Sequence, residues 1–256
     1  MIDLSNIKDK IVVLTTFPSM GDYLFISNLP ELWYKKYGLY TYFSESCRYH
    51  NDETYELLFE SNPYVKGKTN EEHNVLFDPK SFDEDPSGIK KNEWFSKYYQ
   101  EHFGFFDENI IPKIYYEPKK IESLKNSGLI DVTSRNYRDS AVFKSLRIPN
   151  IIKDIVDKNI ELKKYHVIYN NPDTTINRHH YNQVGGSQEL KINTVFDYCD
   201  ILSSIDYCIC FNSGSGLLAS SIKEYYNKNL IIYFITPGQN MDSGNFNPPN
   251  CEIIIL

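Results

Sequence analysis

Three short segments of the sequence combine small residues with side chains that could do chemistry, and each follows an apolar run typical of a strand. The first is Ser19-Met20-Gly21-Asp22, directly behind IVVLT at 11–15. Gly21 has no side chain, so a ligand could come close to the backbone at this position. Two interpretations of Asp22 remain open. The acid either caps the following helix by accepting backbone N–H bonds, or its carboxylate takes a proton from a substrate hydroxyl.

The second segment, TSRNYR at 133–138, follows the apolar run LIDVT at 129–133. Its two guanidinium groups, on Arg135 and Arg138, can hold a phosphate with forked, charge-assisted hydrogen bonds. The alternative is that both arginines are solvated or pair with Asp139, an arrangement that is common on surfaces and nearly neutral in energy.

The third segment is NSGSG at 212–216, between YCICF and a helix that begins with LLASSI. It consists of Asn212, Ser213, Gly214, Ser215 and Gly216. Small residues here expose the N–H groups of a helix N-terminus, whose partial positive charge favours an anion. GSGLLA also fits the dinucleotide pattern G-x-G-x-x-A, but the next strand ends in Thr236-Pro237-Gly238 with no acid to hold a ribose. A nicotinamide or flavin enzyme is therefore disfavoured.

The elements that must position these segments alternate between short apolar runs and longer helical patterns. Pro30 either opens the main part of the first helical pattern or kinks it. In the first half we predict strands at 11–15, 39–43 and 74–77, and helices up to Tyr37 before Gly38, at 52–60 and at 92–102. In the second half we predict strands at 129–133, 166–170, 207–211, 230–236 and the final EIIIL, and helices at 149–158, 195–204 and 215–226.

This alternation predicts parallel sheets covered by helices on both faces. The 256 residues exceed one simple domain. We therefore predict an α/β fold of two Rossmann-like lobes, residues 1–120 and 121–256, with a cleft between the lobes. Ligands in such sheets bind beyond the carboxyl ends of the strands.

Composition excludes several classes of protein. The net charge of -7 is spread along the chain without a basic run, so we expect no nucleic-acid partner. No apolar stretch has the length of a membrane span and no secretory signal opens the sequence, which predicts a cytoplasmic protein. The five cysteines lie mostly in apolar runs without paired ligand spacing, so we expect buried free thiols and no metal site.

His179-His180 is interpreted as part of a polar loop.

Taken together, the segments resemble the ADP-heptose:lipopolysaccharide heptosyltransferase family, whose members share the two-lobed GT-B fold. Ser-Met-Gly-Asp and the following Leu29-Pro30-Glu31-Leu32 are similar to the family's acceptor-side motif. The resemblance implies that Asp22 is the catalytic base and that Ser19, Met20 and Gly21 form the acceptor-side loop.

In the second half, 133–138 resembles the family's phosphate-binding loop, with Arg138 at the position of its Lys. The segment Asn212-Ser213-Gly214 resembles the family's Asp-Ser/Thr-Gly loop, and 235–238 its Gly-Pro-Thr-like turn. Two departures matter. Asn212 replaces an acid, which alters the donor contacts, and the chain stops after EIIIL without the family's C-terminal helix, which could loosen the hinge.

The resemblance implies an inverting, metal-independent hexosyl- or heptosyl-type glycosyltransferase without a cofactor, with a nucleotide-diphosphate sugar as substrate. Its partners would be that donor and a glycan or lipid-linked acceptor, which leaves room for peripheral membrane association. A role in the synthesis of a surface glycan, lipopolysaccharide or capsule, is favoured only by the resemblance to this family. The alternatives are a non-catalytic nucleotide-sugar-binding protein of the same fold and a nucleotide-sugar epimerase or hydrolase.

Overall fold

The computed structural model describes residues 4–49, 51–78, 95–106, 108–131, 147–169, 187–211, 213–236 and 248–255. The chain divides into two compact units, Met1–Tyr116 and Glu117–Leu256, beside the boundary predicted after residue 120. Each unit contains one parallel sheet with helices packed on it, so the predicted α/β fold class is confirmed. Within the described residues, no helix is both long and apolar enough to cross a membrane.

The described part of the first unit has four strands and four α-helices. The strands are β1 (Ile11–Thr15), β2 (Thr41–Ser44), β3 (Val65–Thr69) and β4 (Val75–Phe77). The helices are α1 (Met20–Ile26), α2 (Leu29–Tyr37), α3 (Asp52–Tyr55), which continues as a π-helical turn over Glu56–Glu60, and α4 (Phe95–His102). Pro30 lies in the first turn of α2, where its missing N–H costs nothing, so it opens that helix.

The sheet of the first unit has the strand order β3-β2-β1-β4, and all of its pairs are parallel. The chain moves outward from β1 through β2 to β3 and then returns to the other side of β1 with β4. The carboxyl ends of β1 and β4 therefore meet where the strand order reverses, which is the position at which open α/β sheets bind ligands.

One cluster of charges fastens the end of the first unit to α2. Glu31 accepts hydrogen bonds from Lys113 Nζ at 2.7 Å and Tyr115 Oη at 2.7 Å, and it pairs with Lys35 at 2.8 Å. Burial raises the pKa of Glu31, but these three donors outweigh it and lower that pKa to about 2. The cluster ties residues 113–115 to the helix of the Leu29-Pro30-Glu31-Leu32 motif.

The described part of the second unit has six strands and three α-helices. The strands are β5 (Ser127–Asp131), β6 (Lys163–Tyr169), β7 (Gln188–Ile192), β8 (Tyr207–Phe211), β9 (Ile231–Thr236) and β10 (Glu252–Ile255). The helices are α5 (Arg147–Lys158), α6 (Val195–Ser204) and α7 (Gly214–Tyr225), with a 3₁₀ turn at Glu122–Leu124 before β5. Ile148, Ile152 and Ile155 of α5 pack on Ile130 and Ile209 in a buried core.

The six strands have the order β10-β9-β8-β5-β6-β7, again with parallel pairs only. The chain leaves β5 toward β7 on one side and returns to β8 on the other. The order reverses between β5 and β8, so the carboxyl ends of these two central strands form the ligand position of the second sheet.

Two strands were not predicted. β3 reads VKGKT and β7 reads QELKI, and both are edge strands with charged residues. Neither shows the apolar run that reveals a buried parallel strand. The helix predicted up to Tyr37 is divided into α1 and α2, and the helix predicted at 52–60 becomes π-helical from Glu56. The other predicted elements that the structure describes differ from the observed ones by a few residues at their ends.

Candidate functional site

Asp22 lies in the first turn of α1, beyond the carboxyl end of β1. The N-cap of α1 is Ser19, whose side chain accepts a hydrogen bond from the backbone N–H of Asp22. The interpretation of Asp22 as the capping residue is therefore wrong, because the serine hydroxyl does that work. The same hydroxyl donates to Oδ2 of Asp22 at 2.6 Å, which fixes the orientation of the carboxylate.

The surroundings of Asp22 favour its protonated form. Burial raises the pKa of this carboxyl above its ordinary value, and the hydrogen bonds from Ser19 lower it by less. The charge of Asp22 in turn adds to the burial that raises the pKa of Tyr99, a buried residue of α4. Tyr99 packs edge-on against Phe77 with ring centroids 5.4 Å apart.

These contacts place Asp22 at the reversal point of the first sheet. Phe77 is the last residue of β4, and its carbonyl accepts a hydrogen bond from Thr16 N, directly behind β1, at 3.1 Å. A half-buried carboxylate with a raised pKa at this point is a candidate general base. Gly21, beside it, is buried.

The strands that precede two of the predicted segments are neighbours in the second unit. Asp131 at the end of β5 lies opposite Cys210 of β8 in the parallel register. The segment TSRNYR begins two residues after Asp131, and NSGSG begins directly after Phe211. The two strands that precede these segments therefore end side by side at the reversal point of the sheet, where open α/β sheets bind ligands.

The described part of NSGSG forms the start of α7. Ser213 is its N-cap in extended backbone conformation, with no side-chain capping bond from the described residues. The hydroxyls of Ser213 and Ser215 lie 2.8 Å apart, and Ser213 Oγ also donates to the carbonyl of Phe211. Twelve residues of helix follow, so the partial positive charge of the helix dipole is developed at this end.

Gly216 explains why this helix begins with small residues. A Cβ atom at Gly216 would lie 2.6 Å from Cε2 of Phe234 and 2.8 Å from the carbonyl oxygen of Phe211. Only a glycine lets the first turn of α7 pack this closely on β8 and β9. Gly216 therefore serves helix packing, and no dinucleotide pattern is needed to explain it.

Several predicted site residues lie outside the described part of the chain. These are Arg135, Arg138 and Asn212, together with the His179-His180 loop and the turn from Pro237 onward. Their roles stay predictions. Among the described residues, no group of three or more His, Cys, Asp and Glu side chains could hold a metal ion. The five cysteines are free, and four of them are buried as predicted while Cys251 is half-buried.

Sequence reasoning missed a buried carboxylate. Asp131 is fully buried, and its Oδ2 accepts a hydrogen bond from the hydroxyl of Tyr198 on α6 at 2.7 Å. Burying an acid is costly unless it is hydrogen-bonded. The sequence does show an acid inside the apolar run LIDVT, but Tyr198, its hydrogen-bond partner, lies 67 positions away. The pair links the end of β5 to α6.

Comparison with known proteins gives structural matches only. No protein-family model matches the chain, and no curated protein sequence matches it either. Among solved structures, the chain is similar to the iron-containing dodecameric glycosyltransferase TibC from enterotoxigenic E. coli H10407, with a TM-score of 0.64 and 12% identity. That match covers 96% of this chain but only 62% of TibC, so the chain spans less than two thirds of TibC's length.

Two further matches extend over most of both chains. A family 9 glycosyl transferase from Veillonella parvula DSM 2008 matches with a TM-score of 0.62 and 11% identity, over 98% of this chain and 86% of that one. E. coli heptosyltransferase WaaC with ADP-2-deoxy-2-fluoro heptose matches with a TM-score of 0.58 and 8% identity, over 96% and 93% of the two chains. The chain therefore has a heptosyltransferase-like GT-B fold, built from two Rossmann-like α/β units.

Proposed function

We propose that the chain is a glycosyltransferase that moves a sugar from a nucleotide-diphosphate donor to an acceptor hydroxyl with inversion of configuration. One observation carries this proposal. The reversal point of the first sheet bears a half-buried acid, Asp22, and that of the second sheet bears the N-terminus of α7 beside the exit of β5. In a heptosyltransferase-like fold, this is an acid on one unit and an anion-binding helix end on the other.

Asp22 would act as the general base. It accepts the proton of the acceptor hydroxyl while the oxygen attacks the anomeric carbon from the face opposite the leaving group. The bond between that carbon and the diphosphate oxygen breaks, and its electron pair leaves with the nucleoside diphosphate. A raised pKa brings the base closer to neutral pH, which improves proton abstraction provided that the group is still ionised.

The second unit would stabilise the charge that develops on the leaving diphosphate. We assign this role to Arg135, Arg138 and the segment from Asn212 to Gly216, whose backbone N–H groups point out of the helix start. Forked arginine contacts suit phosphate oxygens. With these positive groups in place we propose transfer without a metal cofactor; TibC, by its name, contains iron.

The nature of the substrates rests on analogy. One TibC structure holds ADP-D-beta-D-heptose and one WaaC structure holds ADP, so we propose a nucleotide-diphosphate hexose or heptose as donor. A glycan or lipid-linked acceptor of a surface polysaccharide, such as lipopolysaccharide or capsule, follows from the same analogy. The cytoplasmic location and peripheral membrane association stay predictions.

A turnover assay with a panel of nucleotide sugars, with and without acceptor glycans, tests the proposal. Transfer should require both substrates, and Asp22→Asn should abolish it while the affinity for nucleoside diphosphate stays within about twofold. Asp157→Asn on α5 is a matched control, since this exposed acid pairs with a neighbouring lysine, Lys153, and its loss should leave turnover unchanged.

The same assay separates the alternatives. Binding of nucleotide sugars without turnover would indicate a binding protein of the same fold. Turnover of the donor without any acceptor would indicate an epimerase or hydrolase. Wild-type transfer by Asp22→Asn would disprove the assignment of the base.

A further inference from the structure

A buried acid ends β5, at the point where the second sheet reverses its strand order. Asp131 is the last residue of that strand and is fully buried. Its Oδ2 accepts a hydrogen bond from the hydroxyl of Tyr198 on α6 at 2.7 Å, and Tyr198 is buried as well. An acid is costly to bury, and the proposed transfer of a sugar gives this one no chemical step.

The first turn of α6 gives Asp131 a fixed partner. A capping box holds that turn: Thr194 Oγ1 accepts from Asp197 N at 3.0 Å, and Asp197 Oδ2 accepts from Thr194 N at 3.1 Å. Tyr198 follows Asp197 directly, and its own N–H donates to the carbonyl of Thr194 at 3.3 Å. The tyrosine therefore extends from a well-anchored stretch of backbone, and its hydrogen bond ties the end of β5 to that stretch.

Asp131 lies close to the start of both segments that are predicted to bind the donor. TSRNYR begins at Thr133, and two residues of chain span at most about 7 Å. Within the sheet, Asp131 is paired with Cys210 of β8, and neighbouring strands are about 4.8 Å apart. Ser213, the N-cap of α7, follows Cys210 by three residues. The buried acid thus lies at the two strand ends that precede both segments.

The first unit shows what buried polar residues do at the ends of its strands. Thr15 ends β1, and its Oγ1 accepts a hydrogen bond from Phe17 N at 3.2 Å. Ser44 ends β2, and its Oγ accepts one from Ser46 N at 3.2 Å. Both side chains are buried, and each holds the backbone two residues beyond its strand. Aspartate side chains make the same kind of bond in turns, and Asp131 occupies the equivalent position at the end of β5.

We propose that Asp131 is a positioning residue for the donor: together with Tyr198 it fixes the path of the chain as it leaves β5, and so the segment at 133–138 that is predicted to hold the diphosphate. This inference rests on the proposed function, since it assigns a further residue to the same donor site. Asp131 acts through the backbone and does not touch the substrate. A hydrogen-bonded anchor suits this role, because a hydrogen bond fixes direction as well as distance.

Binding of nucleoside diphosphates to the full chain, measured by calorimetry without acceptor, tests the proposal. The probe is whichever of ADP, GDP, UDP and CDP the unsubstituted chain binds most tightly. Asp131→Ala removes both carboxylate oxygens and should weaken binding by about tenfold or more, while Tyr198→Phe, which removes only the hydroxyl, should weaken it by about threefold or more. Asp131→Asn keeps an acceptor oxygen and should retain most of the affinity.

Asn227→Ala supplies the matched control for lost stability. The side-chain amide of Asn227 donates to the carbonyl oxygens of Leu202 at 3.3 Å and Ile205 at 2.9 Å. These contacts lie between the end of α6 and the start of β8, at the amino edge of the same sheet. The variant should be less stable than the unsubstituted chain and should bind the nucleoside diphosphate equally well. Melting curves give a temperature at which all variants are folded, so that affinities are compared among folded proteins.

The proposal is overturned if Asp131→Ala binds as tightly as the unsubstituted chain, or if Asn227→Ala weakens binding as much as Asp131→Ala does. Failure of the unsubstituted chain to bind any of the four probes would overturn it together with the proposed function. If the affinities follow the expected pattern while no acceptor receives a sugar, the positioning role stands and the proposed transfer fails.

Discussion

The hydroxyl of Ser19 makes two hydrogen bonds with one residue: it donates to Oδ2 of Asp22 at 2.6 Å and accepts from the backbone N–H of Asp22. The serine thus caps α1 and orients the carboxylate at the same time. Of the two roles that the sequence offered for Asp22, capping belongs to Ser19, and general base is the role that we propose for Asp22.

The pH dependence of turnover should report this contact. A hydrogen bond donated to the ionised carboxylate stabilises the charged form, so its removal raises the pKa of Asp22 further. In Ser19→Gly the acidic limb of the kcat/KM profile should move to higher pH, and glycine costs the helix cap only a few tenths of a kcal/mol. Ser19→Thr keeps the hydroxyl and should keep the limb in place. A limb that stays or moves to lower pH in the glycine variant would contradict the role of Ser19.

Removal of Arg138 should slow turnover by about a hundredfold. Loss of one donor that stabilises transition-state charge costs roughly 3 kcal/mol of barrier. Single-turnover rates of Arg138→Ala with the authentic substrates measure the effect. Arg138→Lys should recover part of the lost rate, because lysine restores the positive charge but not the two parallel hydrogen bonds of a guanidinium group. An unchanged rate in the alanine variant would place the arginine outside the donor site.

Gly216→Ala should destabilise the second unit by about 1–3 kcal/mol, as overpacking typically does. The new methyl would meet the Phe234 ring and the backbone of Phe211, so the start of α7 must move away from β8. Urea unfolding gives the stability, and nucleoside-diphosphate affinity should fall with it. Ser215→Ala adds no bulk at the neighbouring position and serves as control; equal stability of the two variants would refute the packing argument.

The Glu31 cluster should make the first unit sensitive to acid. Because the folded pKa of Glu31 is lowered to about 2 from an ordinary value near 4.5, its stabilisation is complete above pH 4.5 and is lost as pH falls toward 2. Because solvent screens this partly exposed cluster, the full effect should not exceed roughly 2–3 kcal/mol. The stability difference between wild type and Glu31→Gln should therefore shrink between pH 5 and pH 2.5. A difference independent of pH would show that the charge of Glu31 contributes nothing.

The fold was predictable where the sequence carries a strong local signal. The helix predicted at 195–204 agrees with the observed Val195–Ser204, and its start also carries a capping box formed by Thr194 and Asp197. The strand YCICF was equally clear, because its short apolar run is the pattern of a strand that is buried along its whole length. The π-helical turn over Glu56–Glu60 was not, since ELLFE shows the same apolar pattern as an ordinary helix.

The candidate site was predictable only in part, for reasons of distance. Ser19 and Asp22 are close in sequence, so one motif revealed both. The hydrogen bond between Asp131 and Tyr198 and the packing of Tyr99 on Phe77 both depend on how distant strands and helices are arranged. No local pattern encodes those contacts.

The charged residues that concealed β3 and β7 from prediction also protect the folded chain. Each of these strands ends a sheet, and an edge strand offers unpaired backbone groups on which another chain can add. Lysines on β3 and the polar residues at the start of β7 make such addition costly, because a second strand would have to bury their charge. The features that obscure these strands in the sequence therefore guard the two sheets against aggregation.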